Sequence, residues 1–182
     1  MRILGISGSL RAGSLNTQLL RLAAEELPEG VELELYEELA SIPPFDQDLV
    51  DLAPDEVEGL KEAVAESDAI LVATPEFNGS IPGQLKNAID WVSRPLADNP
   101  ARGKPAAVIG ASTSSFGGIW AQRELKKVLG IVGARVLDVE LPVAKADQRL
   151  ADPDPELRAE LASVAEALVA AVPATERESA LV

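Results

Sequence analysis

The sequence contains no cysteine and no histidine among its 182 residues. The lack of cysteine excludes disulfides, thiolate nucleophiles and cysteine-ligated metals. The lack of histidine removes the side chain that most often serves as a general base and as a metal ligand. Chemistry therefore depends on Asp, Glu, Lys, the single tyrosine Tyr36 or a bound cofactor. We predict no metal site.

Positive charge is scarce as well. Lys and Arg number 16 against 30 Asp and Glu, which gives a formal net charge of −14 and a pI near 4.4. A surface this acidic repels nucleic acids and anionic membranes, so neither is an expected partner. A small anionic ligand would need a local basic site.

Long apolar runs are missing, because no stretch of about 18 uninterrupted apolar residues occurs. The first residues also lack the pattern of a secretory signal. We therefore expect a cytoplasmic protein that does not associate with membranes. The length and the hydrophobic share of 47% suit one domain with a substantial core. We place this domain at residues 1–172 and expect residues 173–182 to form a flexible tail.

Hydrophobic periodicity predicts five strands that alternate with five helices. The predicted strands are residues 3–6, 31–36, 68–74, 106–111 and 134–141. Such alternation predicts an α/β fold: a doubly wound five-stranded parallel sheet with helices on both faces. The proline-containing segment 41–48 has two interpretations. It is a rigid surface loop or, because Ile42 and Phe45 are apolar, a lid or partner-facing segment.

Residues 2–17 combine an apolar strand, a loop of small residues and the start of a helix. A helix N-terminus attracts anions through its free N–H groups and the positive end of its dipole. Arg11 adds a guanidinium that suits phosphate. Side-chain donors are present at Ser9, Ser14, Asn16 and Thr17. We predict a phosphate cradle in this glycine loop (residues 8–14) and the helix start that follows it.

The kind of phosphate is suggested by near matches to two known motifs. Gly8, Gly13 and Ser14 have the spacing of a nucleoside-triphosphate P-loop, but the lysine that reaches the outer phosphates is missing. The loop also lacks the G-x-G-x-x-G of a dinucleotide-binding turn. A mononucleotide with one terminal phosphate fits best. A βα turn that binds nothing is the alternative.

Two further loops follow predicted strands and are expected at the same edge of the sheet. The proline loop (residues 75–83) contains two Pro and two Gly, and its Asn78 offers both a donor and an acceptor to an imide edge. The serine loop (residues 112–118) is small and polar, with the single aromatic Phe116. Together they predict a slot for a mononucleotide with a flat ring. A plain turn with Phe77 packed in the core is the alternative for the proline loop.

The motifs in these loops resemble those of the NAD(P)H-dependent FMN reductase family, which includes quinone, azo-dye and chromate reductases. They are GSLR at residues 8–11 with Ser14 and Asn16, PEFNGSIPGQLKNAIDW at residues 75–91, and FGG at residues 116–118. The similarity extends over about residues 2–138. It implies a flavodoxin-like sheet of order 2-1-3-4-5, with FMN bound at the switch point, where the strand order reverses.

The resemblance also implies roles for individual residues. The FMN phosphate would be held by Ser9, Arg11, Ser14 and Asn16. The ring would be bordered by Pro75, Glu76, Phe77, Asn78, Gly79 and Ser80. The ring or the nicotinamide would lie beside Ser112, Phe116 and Gly117. The flavin would carry the chemistry, so no side chain is predicted to be catalytic.

The activity implied by this resemblance is hydride transfer from NADPH or NADH to FMN, followed by reduction of a quinone, azo compound, chromate or free flavin. An FMN-binding electron carrier without nicotinamide turnover is the alternative. Family members usually cover the flavin with a second subunit, which implies a homodimer or homotetramer. Candidate residues for that contact are Ile42, Phe45, Leu49 and Trp91.

Overall fold

The computed structural model describes residues 1–173. The strands are β1 (Arg2–Ser7), β2 (Glu32–Tyr36), β3 (Ala69–Ala73), β4 (Pro105–Ala111), β5 (Arg135–Val136) and β6 (Pro142–Val143). The α-helices are α1 (Leu15–Glu25), α2 (Asp55–Glu66), α3 (Gly83–Val92), α4 (Ile119–Val132), α5 (Ala146–Arg149) and α6 (Pro155–Ala171). Short 3₁₀ turns occur at Leu39–Ser41, Gln47–Leu52 and Leu96–Asp98. Apart from Pro173, the predicted tail lies outside the described residues.

The sheet has the order β2-β1-β3-β4-β5, and its strands pair in parallel. This order confirms the predicted doubly wound α/β fold. Every residue of β3 and β4 is buried, as expected for strands covered on both faces. Among the helices of residues 1–173, none is both long enough and apolar enough to cross a bilayer.

The predicted fifth strand, residues 134–141, is wrong as one continuous element. Within this range only Arg135 and Val136 form a strand, β5, and β6 begins directly after the range at Pro142; both short strands pair with β4. Val136 pairs with Ala106 and Pro142 pairs with Gly110. The outer chain therefore has two more residues between these pairs than β4 has, and it bulges away from the sheet.

The core consists of two apolar clusters, one on each face of the sheet. Neighbouring residues of β1 alternate between them: Leu4 packs with the residues of α2, α3 and α4, and Ile3 packs with those of α1 and α6. This alternation follows from the two-residue period of a strand. The two layers of helices hold the carboxyl edge of the sheet in place.

The segment 41–48 is held against α3 by three side chains of that helix. Gln84 Nε2 donates to the carbonyl of Ile42 at 2.8 Å. The Asn87 amide donates to Pro43 O at 2.8 Å and accepts from the N–H of Phe45 at 2.7 Å. Trp91 Nε1 also donates to Pro43 O, at 2.9 Å. These bonds favour the rigid surface loop over the lid.

The same packing corrects the expected subunit contact. Ile42 and Trp91 are buried within this chain. Phe45 packs edge-on against Trp91, with the ring centroids 5.0 Å apart. Leu49, the fourth residue proposed for the contact between subunits, is exposed and so remains available for it. The sequence alone does not reveal this packing, because the residues of α3 that hold the segment are about 45 positions away.

We expect Asn87→Ala to lower the free energy of unfolding by about 1–3 kcal/mol, because it leaves the Phe45 N–H without its acceptor. Urea denaturation measures this loss. The matched control is Lys86→Ala on the same helix, which breaks an exposed ion pair with Asp90 and should change stability by less than about 1 kcal/mol. Equal losses in the two variants would contradict the assigned role of Asn87.

Candidate functional site

The glycine, proline and serine loops meet at one edge of the sheet because they follow the adjacent parallel strands β1, β3 and β4. A groove between the glycine loop and the proline loop is lined by Gly8, Ser9, Arg11, Phe77, Asn78 and Gly83, among others. The structure thus brings residues expected to hold a phosphate together with residues expected to border a ring.

The start of α1 has the geometry of an anion site. Ser14 is its N-cap, and the Ser14 Oγ accepts from the N–H of Thr17 at 3.1 Å. The N–H of Gln18 bonds to Ser14 O. Because the first N–H groups of a helix have no intrahelical partner, those of Leu15 and Asn16 point outward at this end. They carry the positive end of the helix dipole.

Arg11 lies beside this helix start. Its side chain is exposed, and a Cβ added to Gly13 would be 3.9 Å from its Nη2 atom. The guanidinium therefore lies over the residue that precedes the N-cap. Together with the helix dipole it makes a local positive site on an acidic protein.

Asn16 differs from the expectation. Its side chain is buried, and it donates to Ala111 O at 3.0 Å and accepts from Ala111 N at 2.9 Å. β3 ends at Ala73, so Ala111, the last residue of β4, has no partner strand on the side that faces β3. The Asn16 side chain takes the place of that strand. Its side chain thus fastens α1 to β4. A contribution to the anion site would come from its main-chain N–H.

The proline loop forms a tight turn. Phe77 and Ser80 exchange two main-chain hydrogen bonds of 3.0 Å each, and the two residues between them, Asn78 and Gly79, have φ of 54° and 73°. Asn and Gly are the residues that adopt this left-handed region most readily. The turn leaves Phe77 59% exposed, so the alternative in which Phe77 packs in the core is wrong.

Gly8 lets the glycine loop and the proline loop approach each other. Its N–H donates to Ala73 O at 2.8 Å. A Cβ at this position would lie 2.9 Å from Leu85 Cδ2 and 3.3 Å from Pro75 Cδ. A side chain would therefore push apart the two loops that line the groove.

The Glu76 side chain points toward α4. Its Oε2 atom accepts from the N–H of Trp120 at 3.0 Å and from the N–H of Ala121 at 3.1 Å. These are among the first N–H groups of α4, which has no cap from its own N-cap residue, Gly118. The expected contact of Glu76 with a ring therefore falls to its main chain, which stays in the proline loop.

The serine loop is held by hydrogen bonds from several sides. Ser112 Oγ donates to Ser114 Oγ at 3.1 Å and accepts from the Ser114 N–H at 3.1 Å. Gly117 has φ of 60°, and a Cβ there would be 2.4 Å from the carbonyl carbon of Pro142. The fully buried Gln122 donates to Gly117 O at 3.1 Å.

Sequence reasoning missed Gln122 and Trp120. Gln122 is a polar residue three positions before the core residue Leu125, and a polar residue on an apolar helix face was an available signal. Trp120 is 46% exposed, and its ring lies 4.8 Å from that of Phe116, which is 59% exposed. These aromatic rings stand at the edge of the site.

The one tyrosine, Tyr36, does not provide an acid or base near neutral pH. Burial, together with the nearby carboxylates of Glu38 and Glu56, raises the pKa of Tyr36 above its ordinary value. In the part of the chain that the structure describes, no cluster of three or more acidic side chains is arranged to hold a metal ion. The site is built for binding through main-chain groups and a guanidinium.

These features define a class of protein. A parallel sheet of order 2-1-3-4-5 with an anion site after its first strand and a groove beside it is the flavodoxin-like arrangement for FMN.

Comparisons with known proteins agree. The family model for NADPH-dependent FMN reductases matches residues 1–148, so the chain belongs to that family. An NAD(P)H-dependent FMN reductase of Pseudomonas aeruginosa is 46% identical over 130 residues, which cover 71% of this chain and 69% of the relative. A quinone reductase of Escherichia coli is 36% identical over 140 residues, which cover 76% and 74%.

A solved structure is also similar. The flavoenzyme FerB of Paracoccus denitrificans, an NAD(P)H:(acceptor) oxidoreductase, superposes with a TM-score of 0.83 and 36% identity over 94% of this chain and 96% of that one. These similarities confirm the predicted family, the flavodoxin-like fold, FMN and a nicotinamide donor as the cofactors, and oxidoreductase activity.

We expect Arg11→Ala to weaken FMN binding about ten- to a hundredfold, because a charge-assisted contact worth about 1.5–3 kcal/mol is lost. Riboflavin lacks the phosphate, so its affinity should not change. Fluorescence titration measures both. Arg21→Ala removes another exposed arginine, on α1, and should leave both affinities unchanged. Equal loss of FMN and riboflavin affinity would contradict a phosphate role for Arg11.

Proposed function

We propose that this protein transfers electrons from NADPH or NADH, through FMN, to a quinone or to another small acceptor such as an azo compound, chromate or free flavin. The observation that carries the proposal is the groove shared by the anion-binding glycine loop and the turn of the proline loop. The names of the relatives, FMN reductase and quinone reductase, support the donor and the acceptor class.

The protein's own residues would bind and orient the FMN. Ser9, Ser14, Arg11 and the N–H groups of Leu15 and Asn16 would hold the phosphate at the start of α1. FMN supplies the redox chemistry when bound, by taking up hydride and giving up electrons. No side chain needs to donate or accept a proton in hydride transfer, which suits a site without His or Cys.

Other residues of the site would border the flavin ring. They are the residues of the proline loop Pro75, Glu76, Phe77, Asn78, Gly79 and Ser80, with Glu76 contributing its main chain. The Asn78 amide offers a donor and an acceptor at the groove. Ser112, Phe116 and Gly117 would lie beside the ring or the nicotinamide.

Anaerobic mixing with NADPH or NADH tests this function. We expect the visible flavin absorbance to bleach and to return when a quinone is added. The rate at saturating donor should change little between about pH 6 and 9, because the chain has no His or Cys to titrate there. Bleaching by dithionite but by neither nicotinamide would overturn the proposal in favour of an electron carrier.

We propose further that the protein is a cytoplasmic homodimer or homotetramer. A cytoplasmic location would give it access to NAD(P)H. The support for self-association is the set of exposed aromatic rings at the edge of the site, Phe77, Phe116 and Trp120. A second subunit placed there would cover both these rings and the groove.

Light scattering tests this assembly. We expect a mass two or four times the chain mass of 19.2 kDa, and we expect Trp120→Ser to shift the protein toward monomer because it removes a large apolar contact. The matched control is Ile131→Ser near the far end of α4, where the side chain is 76% exposed. A wild-type monomer at micromolar concentration would contradict the proposal.

A further inference from the structure

We infer that Glu76 is a positioning residue that holds the proline loop, one wall of the flavin groove, in place by tying it to the first turn of α4. The inference concerns the groove of the proposed function and rests on it. It differs from a contact with the ring, because the carboxylate acts through the main chain of α4.

The contacts are specific. One carboxylate oxygen of Glu76 accepts two hydrogen bonds, from Trp120 N at 3.0 Å and from Ala121 N at 3.1 Å. A carboxylate at this place satisfies two N–H groups that a helix leaves unpaired and faces the positive end of its dipole. Bonds to a charged acceptor are stronger than neutral ones.

The local chain cannot supply this cap. Gly118, the N-cap of α4, has no side chain and lies in the left-handed region with φ of 76°. A Cβ at Gly118 would be 3.6 Å from Thr74 O and 3.7 Å from Glu76 Cβ, so α4 begins in contact with the proline loop. The close approach places the Glu76 carboxylate directly at the helix end.

The position of this cap distinguishes it from the others in the chain. Ser14 and Asp154 directly precede α1 and α6, and each accepts a hydrogen bond from the N–H three residues further along the chain. Glu76 caps α4 from 44 positions away. One residue after Glu76 comes the turn of the proline loop, and directly before α4 comes the serine loop.

This side chain therefore holds the proline loop against α4, in addition to the close approach at Gly118. If its hydrogen bonds are lost, the turn at Phe77 becomes more mobile relative to α4, and binding a flat ring then requires that turn to be ordered first. That cost reduces affinity without the loss of any contact to the ligand. FMN affinity is the quantity that should report on Glu76.

The experiment compares Glu76→Ala, Glu76→Gln and Asp154→Ala. Asp154 is a matched control because its Oδ1 caps α6, which packs on the opposite face of the sheet from α4. We expect Glu76→Ala to weaken FMN binding at least about tenfold. Glu76→Gln should restore most of the affinity because its amide oxygen accepts the same bonds. Asp154→Ala should lower the melting temperature but leave FMN affinity unchanged.

Hydrogen exchange of the apoprotein gives a second readout. In Glu76→Ala, the N–H groups of Trp120 and Ala121 should lose protection, and so should those of Phe77 and Ser80, which bond each other across the turn. Asp154→Ala should leave all four unchanged. This readout tests the link between the proline loop and α4 independently of flavin binding and of electron transfer from a nicotinamide.

Three outcomes would overturn the inference. Wild-type FMN affinity in Glu76→Ala would show that the link does not position the groove. Loss of FMN affinity in Glu76→Ala with unchanged protection of the Phe77 and Ser80 N–H groups would show that the carboxylate acts on the ligand and does not position the loop. Equal loss of FMN affinity in Asp154→Ala would show that general destabilisation explains the effect. Failure of nicotinamide reduction with normal flavin binding would count against the proposed function alone.

Discussion

The structure depends on one constraint, which arises where parallel strands and helices end. The main-chain N–H and C=O groups at these ends have no partner within their own element. Each such group must be hydrogen-bonded or face water. At the carboxyl edge of the sheet, the Asn16 side chain pairs with Ala111, Glu76 pairs with the start of α4, and Gln122 pairs with the carbonyl of Gly117. The N–H groups of Leu15 and Asn16, at the start of α1, have no partner within the helix.

This arrangement also explains how an acidic protein can bind an anion. The net charge of −14 repels phosphates at long range. The helix dipole and the guanidinium of Arg11 act at short range, beside Gly13. At the site we propose, specific binding would then depend on the geometry of one helix end. A surface carrying more positive charge would attract nucleic acids as well.

The fold could be predicted from the sequence, and an anion site proposed, because their signals are local. The apolar runs of β3 and β4 and the Gly/Ser-rich loop before α1 are each contained within a few residues. The split of the fifth strand could not be predicted, since Leu137, Val139 and Leu141 continue an alternating pattern and register depends on β4. The actual roles of the Asn16 and Glu76 side chains could not be predicted either, because their partners lie 95 and 44 positions away.

The bulge between β5 and β6 has a consequence for behaviour at high concentration. An exposed edge strand offers a row of free N–H and C=O groups to which another molecule can add a strand. Here that edge consists of two paired residues, a bulge and two more paired residues. The bulge carries Asp138 and Glu140, which reach the side chains of Lys126 and Arg123 on α4. An incoming strand finds no continuous register and meets charge, so this border of the sheet resists sheet-to-sheet aggregation.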